Sequence, residues 1–522
     1  MTNVLQHHDG GPIAFLGGAY GNVPALTACL DDAQQQGAAL RVFLGDATGC
    51  CGHSDTTIDL LREYCQVHIA GNHEVQAAAG ELTCGCGYGS GEDERLSCAA
   101  HAYAMHSLRA DQRKLIASWP LTGLITTPHG RILLCHGSPD RNNEFLYESQ
   151  IDEPRLEAWL DAHDAVGLAC THTGLPWVRY LAGGRFALNA GVVGKPDHDG
   201  DPAVHYALLR WIGGQPRIGI QRVAYRHALW ADQLAVEGVD PVFLEPLRTG
   251  WWTVGEASLP PAESARRQSP SSAFYARIAR GEDSLGVPCC SGAAAQPPPD
   301  TATLGYDPQA VAALPAGVDL GLGCGSPVPL ARLRPGEVVV DLGSGGGLDC
   351  LLAAQAVGQS GRVIGVDATP EMIAKAQAQA QRVGLPQVEF RLGVIEHLPV
   401  ADASVDVVLS NCVINLSPNK PQVLAEAHRV LRPGGRLVIA DTVALAEIPQ
   451  EMRDDQRLHD CCVAGATSIG EYRRMLAEAG FVDIAIDLHE RSADIVSSWV
   501  PGSRAETVVG AASITACRAL DG

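Results

Sequence analysis

Residues 246–300 interrupt an otherwise regular alternation of apolar strands and helices. The stretches SLPPAESARRQSPSS and SGAAAQPPPD are rich in Pro, Ser and Ala and show no sustained apolar period, which is typical of a linker. One short helix is predicted within this segment, near SAFYARIARGED. A chain of 522 residues is also too long for one ordinary hydrophobic core. We therefore predict two domains, residues 1–245 and residues 301–522, joined by this linker.

Both halves of the chain have the pattern of the α/β class. The first half contains apolar runs such as PIAFLGG, LRVFLGDA, RILLCHG and RFALNAG, and we expect it to form an α/β sandwich. The second half places EVVVDLG, RVIGVDA, QVEFRLG, VDVVLSN and RLVIADT between helical stretches, which predicts a doubly wound parallel sheet. Two late runs, VDIAIDLH and ETVVGAASITACRAL, are expected to extend its edge.

Composition excludes several classes of partner. The chain carries 38 basic and 59 acidic residues, a formal charge of -21, and has no basic stripe that could neutralise a phosphate backbone, so we expect no nucleic acid. Since the sequence has no export signal and no apolar run of the length a membrane span needs, we expect a cytoplasmic protein. Its 17 cysteines then favour thiol, metal or redox chemistry over structural disulfides.

A glycine-rich turn in the second half indicates a nucleoside site. In VVVDLGSGGGLDC, residues 338–350, an apolar strand leads into a turn that opens a helix, and such a turn lets backbone N–H groups approach a ligand closely. No Lys follows the glycines, which argues against a phosphate-binding loop. Asp341 precedes the turn and suits an ammonium group, and Asp367, at the end of the next strand, could accept both ribose hydroxyls. S-adenosylmethionine carries both groups. The predicted contacts are Asp341, Gly343, Ser344, Gly345, Gly347 and Asp367.

Residues 304–500 resemble the arsenite S-adenosylmethionine methyltransferases. The resemblance rests on DLGLGCGSP, DLGSGGGLDC, GVDATPEM, IEHLPVADASVDVVLSNCVINLSPNK, HRVLRPGGRL and CVAGA. General methyltransferases of this fold share the glycine turn and LRPGG, but they lack NCVINL and CVAGA. The resemblance implies a Rossmann-like fold with S-adenosylmethionine as cofactor, and it adds three cofactor contacts, Ile395, Glu396 and Asn411.

The resemblance also implies that cysteines hold arsenic. Trivalent arsenic is a soft centre, and thiolates are the soft ligands that proteins offer. Cys412 and Cys462 match two cysteines of the family, Cys324 matches a third, and Cys289 or Cys290 stands where a fourth is expected; we assign that place to Cys290. Arsenite or its thiol conjugates would be the substrate. A disulfide formed after methyl transfer would be reduced by thioredoxin or glutathione, which makes a thiol reductant a co-substrate.

The first 210 or so residues resemble the calcineurin-like metallophosphoesterases. FLGDATG, AGNHE, LCHGSP, CTHTG and LNAGVVGKPDHDGDPAVHYALL carry the likeness. It implies that four residues bind a divalent metal ion and that His73 serves as general acid; the four are Asp46, Asn72, His136 and His172. Three expected ligands of a second metal are replaced, by Gly18, Tyr20 and Gly174. The sequence therefore predicts one metal site where the family has two.

Two interpretations of this first domain stay open. It is either a phosphoesterase with one metal ion or a binding module that keeps a structural or sensing metal. Five further cysteines lie in or near glycine-rich segments and suggest a thiol-rich surface that captures arsenic; they are Cys50, Cys51, Cys84, Cys86 and Cys98. The single C-x-C pair in TCGCGYGSG falls short of a zinc-site spacing pattern.

The function we predict is methylation of trivalent arsenic for detoxification. Two alternatives belong to other classes. One is a bifunctional phosphohydrolase and methyltransferase of a biosynthetic pathway, for organoarsenicals or other compounds, against which Gly18, Tyr20 and Gly174 count. The other is a thiol-based arsenic sensor that binds S-adenosylmethionine without turnover, against which the intact Asp341, glycine turn and Asp367 count.

Overall fold

The computed structural model describes residues 3–267, 270–281, 301–499 and 503–520. The chain divides into two compact units, Met1–Gln268 and Ser269–Gly522. Residues 246–267, predicted as linker, instead belong to the first unit, because Leu247, Trp252 and Leu259 are buried within it. The remainder of the predicted linker includes residues 282–300, which lie outside the described residues.

The described strands of the first unit form two sheets. In chain order they are β1 (Val4–His7), β2 (Ile13–Leu16), β3 (Leu40–Phe43), β4 (Val67–His68), β5 (Thr122–Thr127), β6 (Gly130–Cys135), β7 (Ala165–Cys170), β8 (Trp177–Tyr180), β9 (Phe186–Asn189), β10 (Val204–Ile212) and β11 (Gln215–Val223). One sheet has the order β1-β5-β6-β7-β9-β8 and the other the order β11-β10-β2-β3-β4. Phe15 and Val42 of the second sheet pack with Ile132 and Leu188 of the first, so the two sheets share one apolar layer.

Helices cover the outer faces of these sheets. Those described are α1 (Val23–Gln35), α2 (Ser54–Tyr64), α3 (Asn72–Ala79), α4 (Gly91–Met105), α5 (Ala110–Ile116), α6 (Glu153–His163), α7 (His227–Val236), α8 (Pro241–Thr249) and α9 (Pro261–Arg267). Leu26 of α1 and Ile58 of α2 pack on Leu16 of β2. Leu160 of α6 packs on Leu133 of β6. The predicted α/β sandwich is confirmed.

The second unit is built on one twisted sheet. Its strands are β12 (Val338–Leu342), β13 (Arg362–Asp367), β14 (Val388–Leu392), β15 (Val405–Asn411), β16 (Leu431–Ala444), β17 (Thr467–Ser468), β18 (Phe481–Leu488) and β19 (Val509–Arg518). The order is β14-β13-β12-β15-β16-β19-β18, with β17 beside β16. The first five of these strands run parallel, and β19 runs antiparallel to both neighbours. The predicted doubly wound sheet and its late edge strands are confirmed.

Helices pack on both faces of this sheet. They are α10 (Pro270–Arg280), α11 (Pro308–Ala312), α12 (Pro327–Ala331), α13 (Leu348–Val357), α14 (Pro370–Val383), α15 (Lys420–Val430), α16 (Gln450–Arg453), α17 (Gln456–Asp460), α18 (Ile469–Glu478) and α19 (Ser492–Trp499). β13 pairs with one edge of β12 and β15 pairs with its other edge. The carboxyl ends of β12 and β15 therefore flank a switch point, where folds of this kind bind ligands. Among the described helices, none combines the length and apolar character needed to cross a membrane.

Candidate functional site

The glycine-rich turn lies at the switch point of the second unit. Gly343, Gly345 and Gly347 have φ angles of +67°, +50° and +94°, a backbone region that favours glycine. A Cβ on Gly343 would lie 2.6 Å from the Val413 side chain, whereas the corresponding position on Gly345 meets no described heavy atom within 4 Å beyond its chain neighbours. The turn therefore leaves room for a ligand over Gly345, beside the first turn of α13.

Two carboxylates flank this turn. Asp341 is only 2% exposed and accepts a hydrogen bond from the Cys350 thiol at 3.3 Å. Burial, and next the charge of Asp349, raise the pKa of Asp341 well above its ordinary value. Asp367 accepts the Gly345 N–H at 2.9 Å and the Thr369 N–H at 2.8 Å, and burial raises its pKa. Both carboxyl groups would be stabilised in their charged form by a cationic ligand.

A buried hydrogen-bond network that the sequence reasoning missed joins the start of α13 to the loop that carries Cys324. The Tyr306 hydroxyl donates to Asp349 at 2.9 Å. Asn411, at the end of β15, donates to Asp349 at 3.0 Å and to the Gly325 carbonyl at 2.9 Å, and its own carbonyl accepts the Cys324 N–H at 3.0 Å. Burial raises the pKa of Asp349 to about 6. Asn411, predicted as a cofactor contact, thus fixes the position of Cys324 relative to α13.

Three of the predicted cysteines converge at the carboxyl end of β15. Cys412 directly follows that strand and forms a disulfide with Cys324, which is 88 residues earlier in the chain. The Cys462 thiol donates to the Cys412 carbonyl at 2.9 Å, and Cys462 is 1% exposed. We call Cys324, Cys412 and Cys462 the cysteine site. Cys289 and Cys290 lie outside the described residues.

A buried carboxyl group adjoins the cysteine site. An oxygen of Asp441 lies within 4.8 Å of the Cys324 and Cys412 sulfur atoms. Its Oδ1 accepts hydrogen bonds from the Asn415 amide at 2.9 Å and the Thr442 N–H at 2.7 Å, while its Oδ2 has no partner within the described residues. Burial raises the pKa of Asp441 to about 6. Neither Asn415 nor Asp441 was singled out from the sequence, although Asn415 lies within the NCVINL motif.

Replacing this carboxyl with an amide tests the cost of its burial. Folding raises the pKa of Asp441 from its ordinary value of 3.8 to about 6. The folded domain therefore loses up to ~3 kcal/mol of stability as the pH rises from about 4 to above 6. Asp441→Asn is therefore expected to raise the unfolding temperature more at neutral pH than near pH 4. Thermal unfolding of both proteins across this range checks it, and parallel pH profiles would contradict it.

The other two predicted cofactor contacts, Ile395 and Glu396, lie shortly after β14. Ile395 is buried in the apolar core on one face of the sheet. The Glu396 carboxylate accepts a hydrogen bond from the Ser417 hydroxyl, and its carbonyl accepts one from Gln422 at 3.2 Å. Glu396 therefore holds the loop that follows Cys412.

The first unit gathers its predicted metal ligands around one histidine. His136 Nε2 lies 3.3 Å from Asp46 Oδ2, 3.0 Å from His172 Nδ1 and 3.1 Å from Asn72 Oδ1. Asp46 follows β3, His136 follows β6, and His172 comes two residues after β7. The donor atoms of Asp46, His136 and His172 all lie within 4.8 Å of one another. We call Asp46, Asn72, His136 and His172 the histidine cluster.

The electrostatics of this cluster suit a cation. Burial alone would raise the pKa of Asp46, but the charges of His136 and His73 hold it well below its ordinary range. Burial, and next His136, lower the pKa of His172 to about 3, so that ring is neutral and able to bind a metal. The Glu74 carboxylate, another residue missed from the sequence, accepts the N–H groups of Asp46, Ala47 and Gly71 at 2.7 to 2.8 Å.

The predicted general acid and the three replaced positions adjoin the cluster. His73 directs Nδ1 at the Thr48 carbonyl, 2.7 Å away. The Tyr20 ring lies 5.9 Å from the His73 ring and so close to Gly18 that a Cβ there would come within 2.7 Å of it. A Cβ on Gly174 would lie 3.0 Å from Trp252. Aromatic rings therefore border the two replaced positions that are glycines, Gly18 and Gly174.

Comparison with known proteins assigns the second unit. A family model described as "Methyltransferase domain" matches residues 333–480. The arsenite methyltransferase of Halobacterium salinarum is 52% identical over 196 residues, which is 38% of this chain and 50% of that protein. The C-terminal unit is a methyltransferase domain that matches the arsenite methyltransferases. The chain spans about half the length of this curated relative.

Two solved structures are similar to parts of the chain. An arsenic(III) S-adenosylmethionine methyltransferase from Chlamydomonas reinhardtii is 34% identical, with a TM-score of 0.35, and covers 44% of this chain and 76% of its own. A metallophosphoesterase from Sphaerobacter thermophilus is 23% identical, with a TM-score of 0.37, and covers 46% of this chain and all of its own. The latter is a structural neighbour of the N-terminal unit.

The residues of the methyltransferase domain fit S-adenosylmethionine. Open space over Gly345 provides a place for the nucleoside. The Ser344 hydroxyl is buried without a partner among the described residues, as expected of a group that a ligand completes. The raised pKa values of Asp341 and Asp367 would be relieved by the positive charge of the ammonium and sulfonium groups.

Proposed function

We propose that the methyltransferase domain transfers the methyl group of S-adenosylmethionine to trivalent arsenic held by the cysteine site. The convergence of Cys324, Cys412 and Cys462 beside the glycine turn is the observation that carries this proposal. Their thiolates are the soft ligands that suit trivalent arsenic. The similarity to arsenite methyltransferases supports the choice of substrate.

The protein's part in the transfer is positioning. S-adenosylmethionine supplies a methyl group already activated on a sulfonium. Asp341 would hold the ammonium end, Asp367 the ribose, and the turn at Gly345 the adenosine. The cysteine thiolates would displace the oxygen or sulfur ligands of arsenite and direct the arsenic lone pair at the methyl carbon. Fixing the two reactants in this way lowers the barrier without a general base.

The Cys324–Cys412 disulfide belongs to the oxidised stage of the proposed cycle. Methylation leaves arsenic pentavalent. Two thiolates would reduce it to the trivalent state by two electrons and would themselves be oxidised to a disulfide. Thioredoxin or glutathione would then supply two electrons and two protons to open the disulfide. A reducing cytoplasm would keep these thiols available.

Omitting the reductant is expected to stop methylation after at most one turnover per chain. The oxidised cysteine site has only the Cys462 thiol left for arsenic, since Cys324 and Cys412 are joined. The measurement is methylated arsenic per protein chain, by chromatography with element-specific mass detection, with and without thioredoxin and its reductase. Sustained turnover without any reductant would contradict the proposed redox step.

For the N-terminal unit we infer one divalent metal ion bound by the histidine cluster. The support is the mutual approach of the Asp46, His136 and His172 donor atoms and the neutral state favoured for His172. A single ion can polarise a phosphoryl oxygen, while the two-ion hold on both the attacking and the leaving oxygen would be absent. A phosphoesterase with one metal ion and a metal-bearing binding module both remain consistent with this geometry.

His136→Ala is expected to remove this ion, because His136 is in contact with the three other members of the cluster. Mn²⁺ is a suitable probe, since it prefers oxygen and imidazole over thiolate. Metal content after dialysis should fall from one equivalent to none. His53→Ala, at a partly exposed histidine paired with Glu237, is the matched control and should retain the metal. Equal Mn²⁺ content in both variants would refute the assignment.

A further inference from the structure

A second group of metal-binding side chains lies in the first unit, outside the histidine cluster. Cys84 lies in the loop between α3 and α4, and Glu94 and Cys98 lie on α4. Glu94 and Cys98 are four residues apart, so both face the same side of the helix. The loop brings Cys84 against that side. The sequence pattern did not reveal this group because one of its three members is a carboxylate.

The three donor atoms are evenly spaced. Cys84 Sγ lies 3.9 Å from Cys98 Sγ, and each of these sulfur atoms lies 3.9 Å from Glu94 Oε1. Zinc binds thiolate sulfur at about 2.3 Å in tetrahedral geometry, which places neighbouring ligands roughly 3.8 Å apart. An ion can therefore sit among these three atoms with little movement of the chain.

We propose that Cys84, Glu94 and Cys98 bind a thiophilic divalent cation of the zinc class. When both thiols ionise on binding the ion, two thiolates and one carboxylate together carry three negative charges. Among the described residues, Glu94 otherwise accepts only the Tyr88 N–H, at 3.3 Å, and no Lys or Arg side chain is paired with Cys84, Glu94 or Cys98. A divalent cation would compensate the charge that this arrangement concentrates.

The ligand types select the ion. Thiolates favour zinc over Mg²⁺, Ca²⁺ or Mn²⁺. Trivalent arsenic is a poorer match for these three donors, because the third is a hard carboxylate. With three protein ligands, zinc keeps a fourth position open for water or a substrate.

The surrounding residues hold the loop in place. The Asn72 amide donates to the Cys84 carbonyl at 2.8 Å, and Asn143 donates to the Gly85 carbonyl at 3.0 Å. The Cys86 N–H donates to Cys84 Sγ at 3.2 Å, which favours the thiolate and orients it. Since Asn72 also contacts His136, the two groups are joined by one side chain.

The five cysteines suggested for arsenic capture do not form a single surface. Cys50 and Cys51 lie in a separate apolar cluster with Trp230 and Leu234. Only Cys84 and Cys98 approach a carboxylate closely enough to share an ion.

Cobalt substitution tests this site in the full-length chain. Co²⁺ bound by thiolate gives a charge-transfer absorption that oxygen and imidazole ligands do not give. The background protein carries Cys412→Ser and Cys462→Ser, which weakens thiolate binding at the cysteine site. We expect one equivalent of Co²⁺ to produce the thiolate absorption and one equivalent of Zn²⁺ to abolish it.

Three variants of that background decide the assignment. Cys98→Ser should lose the absorption, and Glu94→Gln should weaken Co²⁺ binding by about tenfold or more. Cys65→Ser, at a buried thiol elsewhere in the unit, is the control and should bind as the background does. Cys98 is partly exposed, so its replacement should leave the unfolding temperature unchanged. Absence of the absorption in the background protein, or its persistence in Cys98→Ser, would overturn the proposal, as would arsenite binding that depends on Cys98 without any Zn²⁺ binding.

Discussion

Cys412→Ser and Cys462→Ser are each expected to lower arsenic methylation at least ~100-fold, which corresponds to about 2.7 kcal/mol or more. Serine keeps the size of the side chain and the backbone demands of both positions, whose φ angles are +56° and +61°. It replaces a soft sulfur donor with a hard hydroxyl that binds trivalent arsenic weakly. The measurement is formation of methylated arsenic with excess S-adenosylmethionine, arsenite and thioredoxin.

Cys517→Ser is the matched control for this pair. Cys517 is a partly exposed thiol on β19 of the same sheet. It pairs with Arg436 of β16, toward the end of the sheet opposite the carboxyl end of β15. It should methylate arsenic at the wild-type rate. All three variants should bind S-adenosylmethionine normally. The lost methylation in Cys412→Ser and Cys462→Ser would then reflect lost arsenic binding. A Cys462→Ser protein that methylates arsenic as fast as wild type would remove Cys462 from the site.

The sequence predicted the strands with long uninterrupted apolar runs. EVVVDLG, RVIGVDA and VDVVLSN are buried on both faces, and they became β12, β13 and β15. The hairpin of β10 and β11 was not identified, although Gly213 and Gly214, both at positive φ, are a turn signal that was available. The extent of the linker was misjudged because Leu247, Trp252 and Leu259 are isolated apolar residues whose burial depends on distant partners.

The site was predictable only where the chemistry sits in a short motif. Asp341 and Asp367 lie at the carboxyl ends of β12 and β13, and a strand end at a switch point marks a ligand site. The meeting of Cys324, Cys412 and Cys462 depended on family resemblance, because separations of 88 and 50 residues carry no local signal.

Buried residues that position other groups had no comparable signal. Glu74 fixes three backbone N–H groups around Asp46, and Asp349 joins Tyr306 to Asn411. Each looks in the sequence like an ordinary acidic residue near the start of a helix. Such a residue is normally exposed, and only tertiary packing shows that these two are buried.

Asp341→Asn is expected to weaken S-adenosylmethionine binding about 100-fold, or roughly 2.7 kcal/mol. Asp341 is almost fully buried at the end of β12, beside the open space over Gly345, where a carboxylate would pair with the ligand's ammonium in a low-dielectric setting. An amide keeps the shape and loses the charge. Asp402→Asn, at an exposed carboxylate paired with Arg429, is the matched control and should bind as wild type does. Isothermal titration calorimetry measures all three affinities.

The same substitution should change how binding depends on pH. Burial and Asp349 raise the pKa of Asp341, and burial raises that of Asp349 to about 6, so part of the unliganded protein carries protons there. A cationic ligand favours the ionised form, and binding must then release protons. Affinity is therefore expected to strengthen as the pH rises through about 6, by at most about tenfold per pH unit for each proton released. Asp341→Asn should flatten this slope, and calorimetry in buffers of different ionisation enthalpy should show fewer protons released. Equal slopes for wild type and variant would mean that Asp341 is already ionised in the free protein, and its place opposite the ammonium would lose its support.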